Sequence, residues 1–367
     1  MASADKTGST AIFADLTAHP QISNAGACKE VCFHGGKGDP RDSRPLEEYA
    51  AMFPSTADCP EVVTTEACPD YFLQSQHVAL KLHLRLPNVR VVIFARDPVQ
   101  RFLSRLVGNY EHQTHSETCA QLLHDSPFDF AHAVPPQLAD ERVLAALPSP
   151  VAGGAYAAVI EAAWLPVFGH ERLLLLPTEW LASDTTMTTT RDEEEDLSVA
   201  ALQLVARFLR LEPWSRRALD ARATVRQRAN DAAASSIDQS SHTSHLREAL
   251  ADNTSRWARL YKRKSNSDTW MCSDHHLTQL LDLYEPLNRR HRHQIEQNLQ
   301  LHANDAAFNT TTRLLQAWPA WLDAKATRPE YDRGQSPHDP AHRDPRRLDF
   351  YRRLQTSLFQ DARRRRP

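Results

Sequence analysis

The sequence predicts an α/β fold in which a central parallel sheet is flanked by helices. Val89 to Ala95 is a short apolar run, rich in β-branched residues and without polar alternation, as expected of a strand buried on both faces. Asp97 and Pro98 follow with a carboxylate at the cap and proline at the first position of a helix. Farther along, a helical pattern over Gly153 to Phe168 precedes a second apolar strand, Arg172 to Pro177.

The helix after the central strand carries apolar residues at helical spacing, so one face is expected to pack back on the sheet. These residues are Val99, Phe102, Leu103 and Leu106. Arg96 is then left at the carboxyl end of the strand and Ser104 two turns into the helix, where ligands of open α/β sheets bind. An arginine and a hydroxyl beside a helix N-terminus suit a phosphate. The alternative is that Arg96 pairs with a carboxylate and Ser104 faces solvent.

A second phosphate-binding pattern lies at the start of the chain. Lys6 to Thr10, KTGST, runs directly into a helical pattern over Ala11 to Ala18, which His19 and Pro20 end. A lysine, a glycine and hydroxyls that open a helix can hold a phosphate with backbone N–H groups and the positive helix end.

Together these elements resemble the sulfotransferases that use 3′-phosphoadenosine 5′-phosphosulfate (PAPS), and most closely the Golgi carbohydrate group of the heparan and chondroitin types. In that family a K-[ST]-G-[ST]-T loop holds the 5′-phosphosulfate and an R-[DN]-P-x-x-R-x-x-S segment holds the 3′-phosphate. The matching segments here are KTGST at Lys6 to Thr10 and RDPVQRFLS at Arg96 to Ser104. The resemblance spans roughly Lys6 to Arg292 and implies a fold similar to that of nucleotide kinases.

The resemblance also implies roles for single residues. Lys6 would hold the phosphosulfate and neutralise the leaving phosphate, while Arg96 and Ser104 would bind the 3′-phosphate. No metal is expected, because a sulfuryl group carries less charge than a phosphoryl group. The rest of the loop would complete the cradle with its hydroxyls and backbone: Thr7, Gly8, Ser9 and Thr10.

A candidate general base lies between the two phosphate motifs. Lys29 to Phe33, KEVCF, matches the family pattern K-E-x-x-[FW]-[FW], whose glutamate is the base, here Glu30. Sulfuryl transfer requires the attacking hydroxyl to lose its proton, which a carboxylate can accept. His34 is a rival base because imidazole titrates near neutrality. The alternative for Glu30 is a solvated surface charge.

Two further segments resemble parts of the family. Glu66 to Phe72, EACPDYF, is similar to a G-E-x-[ST]-P-x-Y segment that lines the acceptor cleft, but Ala67 replaces the lysine that many members carry. Lys262, Arg263 and Lys264 lie where relatives place a basic loop over adenosine 3′,5′-bisphosphate. They lack the relatives' glycine, so a solvated basic loop is the alternative.

The remaining patterns predict one sulfotransferase domain over residues 1–300, followed by a basic, proline-interrupted tail over 301–367. Polar insertions are expected at about 114–150, 184–197 and 215–255. Periodicity also predicts a strand at Val62 to Thr65 and a final helix from His275 to Leu299 with Asp274 as its cap. Other helices are expected over Leu46 to Phe53, Gln76 to Leu86 and Ser198 to Leu211.

The six cysteines are too few for a disulfide scaffold, and each is interpreted as a buried or free thiol. A bridge between Cys59 and Cys68 stays open for a secretory lumen. Sequons at Asn253 and Asn309 fit a luminal glycoprotein and also arise by chance.

The start of the chain shows no signal peptide, and no apolar run reaches membrane-spanning length. The resembled family places a buried strand before the phosphosulfate loop, which Met1 to Asp5, MASAD, is not expected to supply. We therefore hypothesise that the chain is truncated and lacks a first strand, a stem and a membrane anchor.

The sequence as a whole predicts a PAPS-dependent carbohydrate O-sulfotransferase of the Golgi lumen. Its partner would be a glycan, including acidic or already sulfated glycosaminoglycans, with no nucleic acid and with membrane contact only through an anchor absent from this chain. A net charge of −3 does not itself name a partner. One alternative is a non-catalytic relative that binds nucleotide or acidic glycan. A P-loop kinase or NTPase is disfavoured, because no glycine lies among the residues before Lys6.

Overall fold

The computed structural model describes residues 1–2, 4–25, 30–35, 45–55, 59, 61–73, 75–112, 119, 151, 153–181, 191–220, 222, 271–302, 314–315, 322, 349–356 and 360. The described helices are Ser9–Thr17 (α1), Leu46–Ala50 (α2), Pro69–Leu73 (α3), Ser75–Arg85 (α4), Pro98–His112 (α5), Tyr156–Val159 (α6), Leu165–Phe168 (α7), Arg191–Leu209 (α8) and Asp274–His302 (α9). The described strands are Ile22–Asn24 (β1), Val63–Thr65 (β2), Val91–Ala95 (β3) and Leu173–Pro177 (β4). Residues 216–220 and 349–356 are also helical.

Two parallel strand pairs form the centre of the molecule. β3 pairs with β4 from Val91 opposite Leu173 to Ala95 opposite Pro177, and β1 pairs with β2 from Ile22 opposite Val63. Every residue of β3 and β4 is buried, which confirms the predicted central strand and the second core strand. Continuous apolar sequence is typical of strands covered on both faces.

Ala2 connects the two strand pairs. It forms parallel bridges to Ile93 of β3 and to Cys68, just beyond β2, and its N–H donates to Val92 O at 3.0 Å. Met1 to Asp5 were not expected to supply a buried strand, and no strand is described there, but Ala2 pairs with both strand pairs through these isolated bridges. Its fully buried side chain lies between the strand pairs, immediately before the predicted phosphosulfate loop.

Several boundaries differ from the predicted ones. β1 was not predicted, because Ile22–Asn24 is short and only its first residue is buried. α8 begins at Arg191, so its first turns lie inside the polar insertion predicted at about 184–197. The predicted helix over Gly153 to Phe168 begins at Tyr156 and contains a π-helical turn at Ile160–Trp164. Pro166 follows that turn and has no N–H to continue an α-helical ladder.

The cysteines are paired where thiols were expected. Disulfides join Cys32 to Cys68 and Cys119 to Cys272. Cys59 is exposed and unpaired, so the possible bridge from Cys59 to Cys68 is wrong. The first disulfide ties the segment after Glu30 to the residue that bridges Ala2.

α9 covers the free edge of β4 with a polar side chain. Asn298 is fully buried, its Nδ2 donates to Leu173 O at 2.6 Å, and its Oδ1 accepts from the Leu175 N–H at 3.0 Å. The side-chain amide thus imitates a neighbouring strand and satisfies an edge that would otherwise be unpaired.

Within the described ranges, no helix is long and apolar enough to cross a membrane.

We expect Asn298→Leu to lower the free energy of unfolding by about 2 kcal/mol, because the buried N–H of Leu175 loses its partner. Urea denaturation would measure this. Gln300→Leu, at an exposed position of the same helix, is the matched control and should change stability by less than about 0.5 kcal/mol. Equal effects of the two substitutions would contradict the edge-capping role of Asn298.

Candidate functional site

The predicted phosphosulfate loop lies between Ala2 and α1. Gly8 precedes the first helical residue with a φ of 80°, and Lys6 has a φ of 60°. Glycine adopts this left-handed region readily, whereas lysine does so at some cost in energy. The Thr7 hydroxyl is buried and donates to Ala4 O at 2.8 Å, so it braces the loop from within. Lys6 and Thr10 are exposed, and Ser9 is buried.

Arg96 brings the two predicted phosphate motifs together. Its Nη1 donates to Lys6 O at 3.2 Å and to Ser104 Oγ at 3.4 Å, while Nη2 reaches Gln100 Oε1 at 3.5 Å. All three acceptors are neutral oxygens. Among the described residues, Arg96 therefore forms no hydrogen bond to a carboxylate, which was the alternative interpretation of this arginine. The backbone N–H of Arg96 donates to Tyr156 OH at 3.2 Å. Lys6, Arg96 and Ser104 therefore share one half-buried location at the carboxyl end of β3.

Asp97 caps α5 as the sequence predicts. Its Oδ1 accepts the backbone N–H groups of Val99 at 2.9 Å and Gln100 at 3.1 Å. Its Oδ2 accepts a hydrogen bond from Tyr351 OH at 2.5 Å. Tyr351 lies in the segment predicted as a tail, so part of that segment packs against the site.

Glu179 supports the same strand end from behind. Its Oε1 accepts the Asp97 N–H at 2.9 Å, and Thr178 next to it donates to Ala95 O at 2.9 Å. Burial, and to a smaller extent the charge of Asp97, raises the pKa of Glu179 to about 7. These contacts give Glu179 a structural role at the end of β3.

Asp5 forms a second link between the loop and α5. Its Oδ1 lies 2.9 Å from Arg101 Nη1 and its Oδ2 lies 2.9 Å from Arg105 Nη1. The Arg101 side chain is fully buried, whereas that of Arg105 is 34% exposed. Sequence analysis assigned no role to Asp5, because the motif it adjoins begins at Lys6.

The predicted base, Glu30, lies on a short segment, residues 30–35. This segment is attached to Cys68, which bridges Ala2 on the side opposite β3. Glu30 is exposed at its start, and Cys32 joins it to Cys68 through a disulfide. At its other end the His34 N–H donates to Tyr71 OH at 3.0 Å. The His34 side chain is fully buried and packs against the rings of Phe33 and Tyr49, so it does not face solvent as Glu30 does.

A buried carboxyl group holds this segment together. Glu66 Oε1 accepts hydrogen bonds from Tyr71 OH at 2.8 Å and from Tyr49 OH at 3.0 Å. Burial raises the pKa of Glu66, while these hydrogen bonds and one from the backbone of Cys32 oppose that rise. The neighbouring Ala67 is buried and supplies no polar group where many relatives are expected to have lysine.

Some predicted site residues lie outside the described ranges. These are Lys262, Arg263 and Lys264, together with Lys29 of the base motif. In the part of the chain that the structure describes, no three His, Cys, Asp or Glu side chains are grouped so as to hold a metal ion.

Comparisons with known proteins give structural likenesses but no match in sequence. No protein-family model matches the chain, and no curated protein matches it in sequence. Among solved structures, it is similar to the crystal structure of a sulfotransferase from Alicyclobacillus acidocaldarius. The TM-score is 0.41 and the sequence identity 20%, over 58% of this chain and 80% of that chain. A function for this chain therefore rests on its own residues.

The raised pKa of Glu179 predicts a pH-dependent stability. Between its ordinary value of 4.5 and the folded value of about 7, the unfolded chain releases this proton while the folded protein keeps it. Protonated Glu179 therefore contributes to the free energy of unfolding in full below pH 4.5, and this contribution is lost as the pH rises toward about 7. The loss is on the order of 1–3 kcal/mol.

We expect Glu179→Gln, which cannot titrate, to lose less stability than the wild type between pH 4.5 and 7.5. Urea denaturation at both values would measure the difference, and all other titrating groups are common to the two proteins. Parallel losses in the two proteins would mean that Glu179 titrates as it does in the unfolded chain.

Proposed function

We propose that this protein transfers a sulfuryl group from PAPS to a hydroxyl group of a carbohydrate acceptor. The observation that carries the proposal is the position of Arg96, whose guanidinium reaches both the backbone of Lys6 and the hydroxyl of Ser104. Two sequence segments 90 residues apart, each resembling a different phosphate-binding motif, thereby meet at one end of the sheet.

The residues at this end fit a nucleotide with two separated phosphate groups. The N-terminus of α1 and the exposed side chain of Lys6 offer positive charge to a 5′-phosphosulfate. Arg96 and Ser104 offer a guanidinium and a hydroxyl to a 3′-phosphate. Among the described residues, Arg96 donates hydrogen bonds only to neutral oxygens. Its charge also partly offsets the raised pKa of the Glu179 carboxyl group.

Glu30 is better placed than His34 to take a proton from an acceptor. It is exposed, whereas the imidazole of His34 lies fully buried among aromatic rings. The Cys32–Cys68 disulfide connects its segment to the residue that bridges Ala2, four residues before Lys6. The segment of Glu30 and the loop are thus both attached to Ala2, which bridges the two strand pairs.

In the proposed reaction, PAPS supplies the sulfuryl group. The acceptor oxygen forms a bond to sulfur as the bridging bond from sulfur to the 5′-phosphate oxygen breaks. Glu30 accepts the hydroxyl proton, and Lys6 balances the negative charge that grows on the departing phosphate. Adenosine 3′,5′-bisphosphate and the sulfated acceptor are the products.

The carbohydrate acceptor and the Golgi lumen are proposed from the family resemblance. Two features of the structure support them. The partly exposed rings of Tyr49 and Phe53, 4.9 Å apart, lie on the Glu30 side and could stack on a sugar. Two disulfides are expected of a protein that folds in an oxidising compartment.

The nucleotide assignment predicts a selective loss of affinity. Arg96→Ala should weaken binding of adenosine 3′,5′-bisphosphate much more than binding of AMP, by roughly 1.5–3 kcal/mol more, because only the former carries a 3′-phosphate. Isothermal calorimetry would measure both affinities. Arg172→Ala is the matched control, since Arg172 also donates to backbone carbonyl oxygens but lies at the start of β4, at the opposite end of the strand. Equal losses for both nucleotides would exclude a 3′-phosphate contact.

The base assignment predicts a loss of turnover without a loss of nucleotide binding. Glu30→Gln keeps the shape of the side chain but accepts no proton, and should lower sulfuryl transfer by roughly 10²–10⁴-fold. His34→Phe should retain a substantial rate, provided that its folding is confirmed by thermal denaturation. Transfer from radiolabelled PAPS to a panel of sulfated and unsulfated glycans would measure both, with exposed Glu61→Gln as the control.

An active Glu30→Gln protein beside an inactive, folded His34→Phe protein would overturn this assignment. If the wild type binds adenosine 3′,5′-bisphosphate but transfers no sulfuryl group to any glycan, the chain is a nucleotide-binding relative without turnover on these acceptors.

A further inference from the structure

The structure assigns a role to Asp5, the residue directly before the loop lysine. We propose that Asp5 is a positioning residue, which fixes Lys6 in its working orientation through ion pairs with Arg101 and Arg105. This inference deepens the proposed function and rests on it for the role of Lys6. The ion pairs themselves are independent of any reaction.

The side chains of α5 and of Arg96, just before it, form two adjacent rows with different contacts. Arg96, Gln100 and Ser104 form one row, linked by the Arg96 guanidinium and directed toward the proposed 3′-phosphate position. Arg101 and Arg105 are one helical turn apart and form the second row, and each binds one oxygen of Asp5. Arg101 Nη1 also lies 3.4 Å from Asp5 O. The row of Arg101 and Arg105 thus holds the loop through Asp5, while the row of Arg96 contacts the loop only at Lys6 O and is offered to the nucleotide.

Charge and burial explain why an aspartate is needed here. Arg101 is fully buried, and a guanidinium out of contact with water needs a charged or hydrogen-bonding partner close by. The Asp5 carboxylate lies 2.9 Å away and supplies that partner. An acidic residue beside an anion-binding loop would otherwise repel the nucleotide, but here two arginines neutralise it.

The same contacts fix the residue that follows. Asp5, directly before Lys6, is held through its carboxylate. The carbonyl oxygen of Lys6 itself accepts a hydrogen bond from Arg96. Its φ of 60° is unfavourable for a lysine, so neighbouring contacts must maintain it. Without the ion pairs of Asp5, Lys6 would keep its charge but lose its fixed orientation. Rate would suffer more than affinity, because orientation matters most where charge develops during the reaction.

The test substitutes Asp5→Asn, which keeps the size of the side chain and removes its charge. We expect kcat for sulfuryl transfer to fall roughly 10- to 100-fold. Affinity for adenosine 3′,5′-bisphosphate should stay equal or rise, since a negative charge is lost and the arginines become available. Asp220→Asn removes an exposed ion pair with Arg216 that involves neither the loop nor α5, and it should change neither quantity. A loss of nucleotide affinity that equals the loss of kcat would overturn the positioning role.

Hydrogen exchange measured by mass spectrometry tests the anchor without any reaction. Backbone amides of residues 6–10 should exchange roughly 10-fold faster in Asp5→Asn, while peptides from β3 and β4 remain unchanged. Arg105 is partly exposed, so Arg105→Gln should disturb folding less than a substitution of the buried Arg101. It should speed the exchange of residues 6–10 by less than Asp5→Asn does. It should add little in the Asp5→Asn background, because the shared contact is already lost.

Unchanged exchange of the loop in Asp5→Asn would contradict the inference, whether or not the protein transfers a sulfuryl group. Faster exchange together with a wild type that binds no nucleotide would instead support the anchor and refute the proposed function.

Discussion

The structure depends on how the loop at Lys6 to Thr10 is held at the end of the sheet. Among the described residues before the loop, Ala2 is the one that pairs with strands, through bridges to Ile93 and Cys68. A longer strand would fix the loop through its own ladder of hydrogen bonds. Here arginine side chains contribute much of that restraint: Arg96, just before α5, on the Lys6 carbonyl, and Arg101 and Arg105 of α5 on Asp5.

Opposite the arginines, a second set of restraints holds the proposed base. The Cys32–Cys68 disulfide and the Glu66 carboxyl, bonded to two tyrosines, fix residues 30–35 beside Ala2. Cations therefore gather on the β3 side of Ala2 and the exposed carboxylate of Glu30 on the β2 side. This separation suits a reaction in which an anionic donor and a hydroxyl acceptor approach from different directions, and in which the base must not repel the donor.

The sequence predicted those features that local chemistry decides. The apolar run of β3 and the Asp97 cap of α5 follow from residue type and spacing within short segments. The proximity of Lys6 to Arg96, 90 residues away, was instead implied by the family resemblance. Features that depend on distant partners were missed. Nothing near Cys32 indicates Cys68 as its partner, and β1 becomes a strand through its pairing with β2. Asp5 reads as an ordinary surface acid until α5 places two arginines against it, and Asn298 as a helix surface residue until β4 lies beside it.

A crystal structure of the protein with adenosine 3′,5′-bisphosphate would test the proposed nucleotide site, because it locates both phosphates at once. We expect the 5′-phosphate to lie against Lys6 and the N-terminus of α1, and the 3′-phosphate to lie within hydrogen-bond distance of Arg96 and Ser104. A nucleotide bound elsewhere, or with its 3′-phosphate directed away from Arg96 while the loop is occupied, would show that these residues do not form the proposed site.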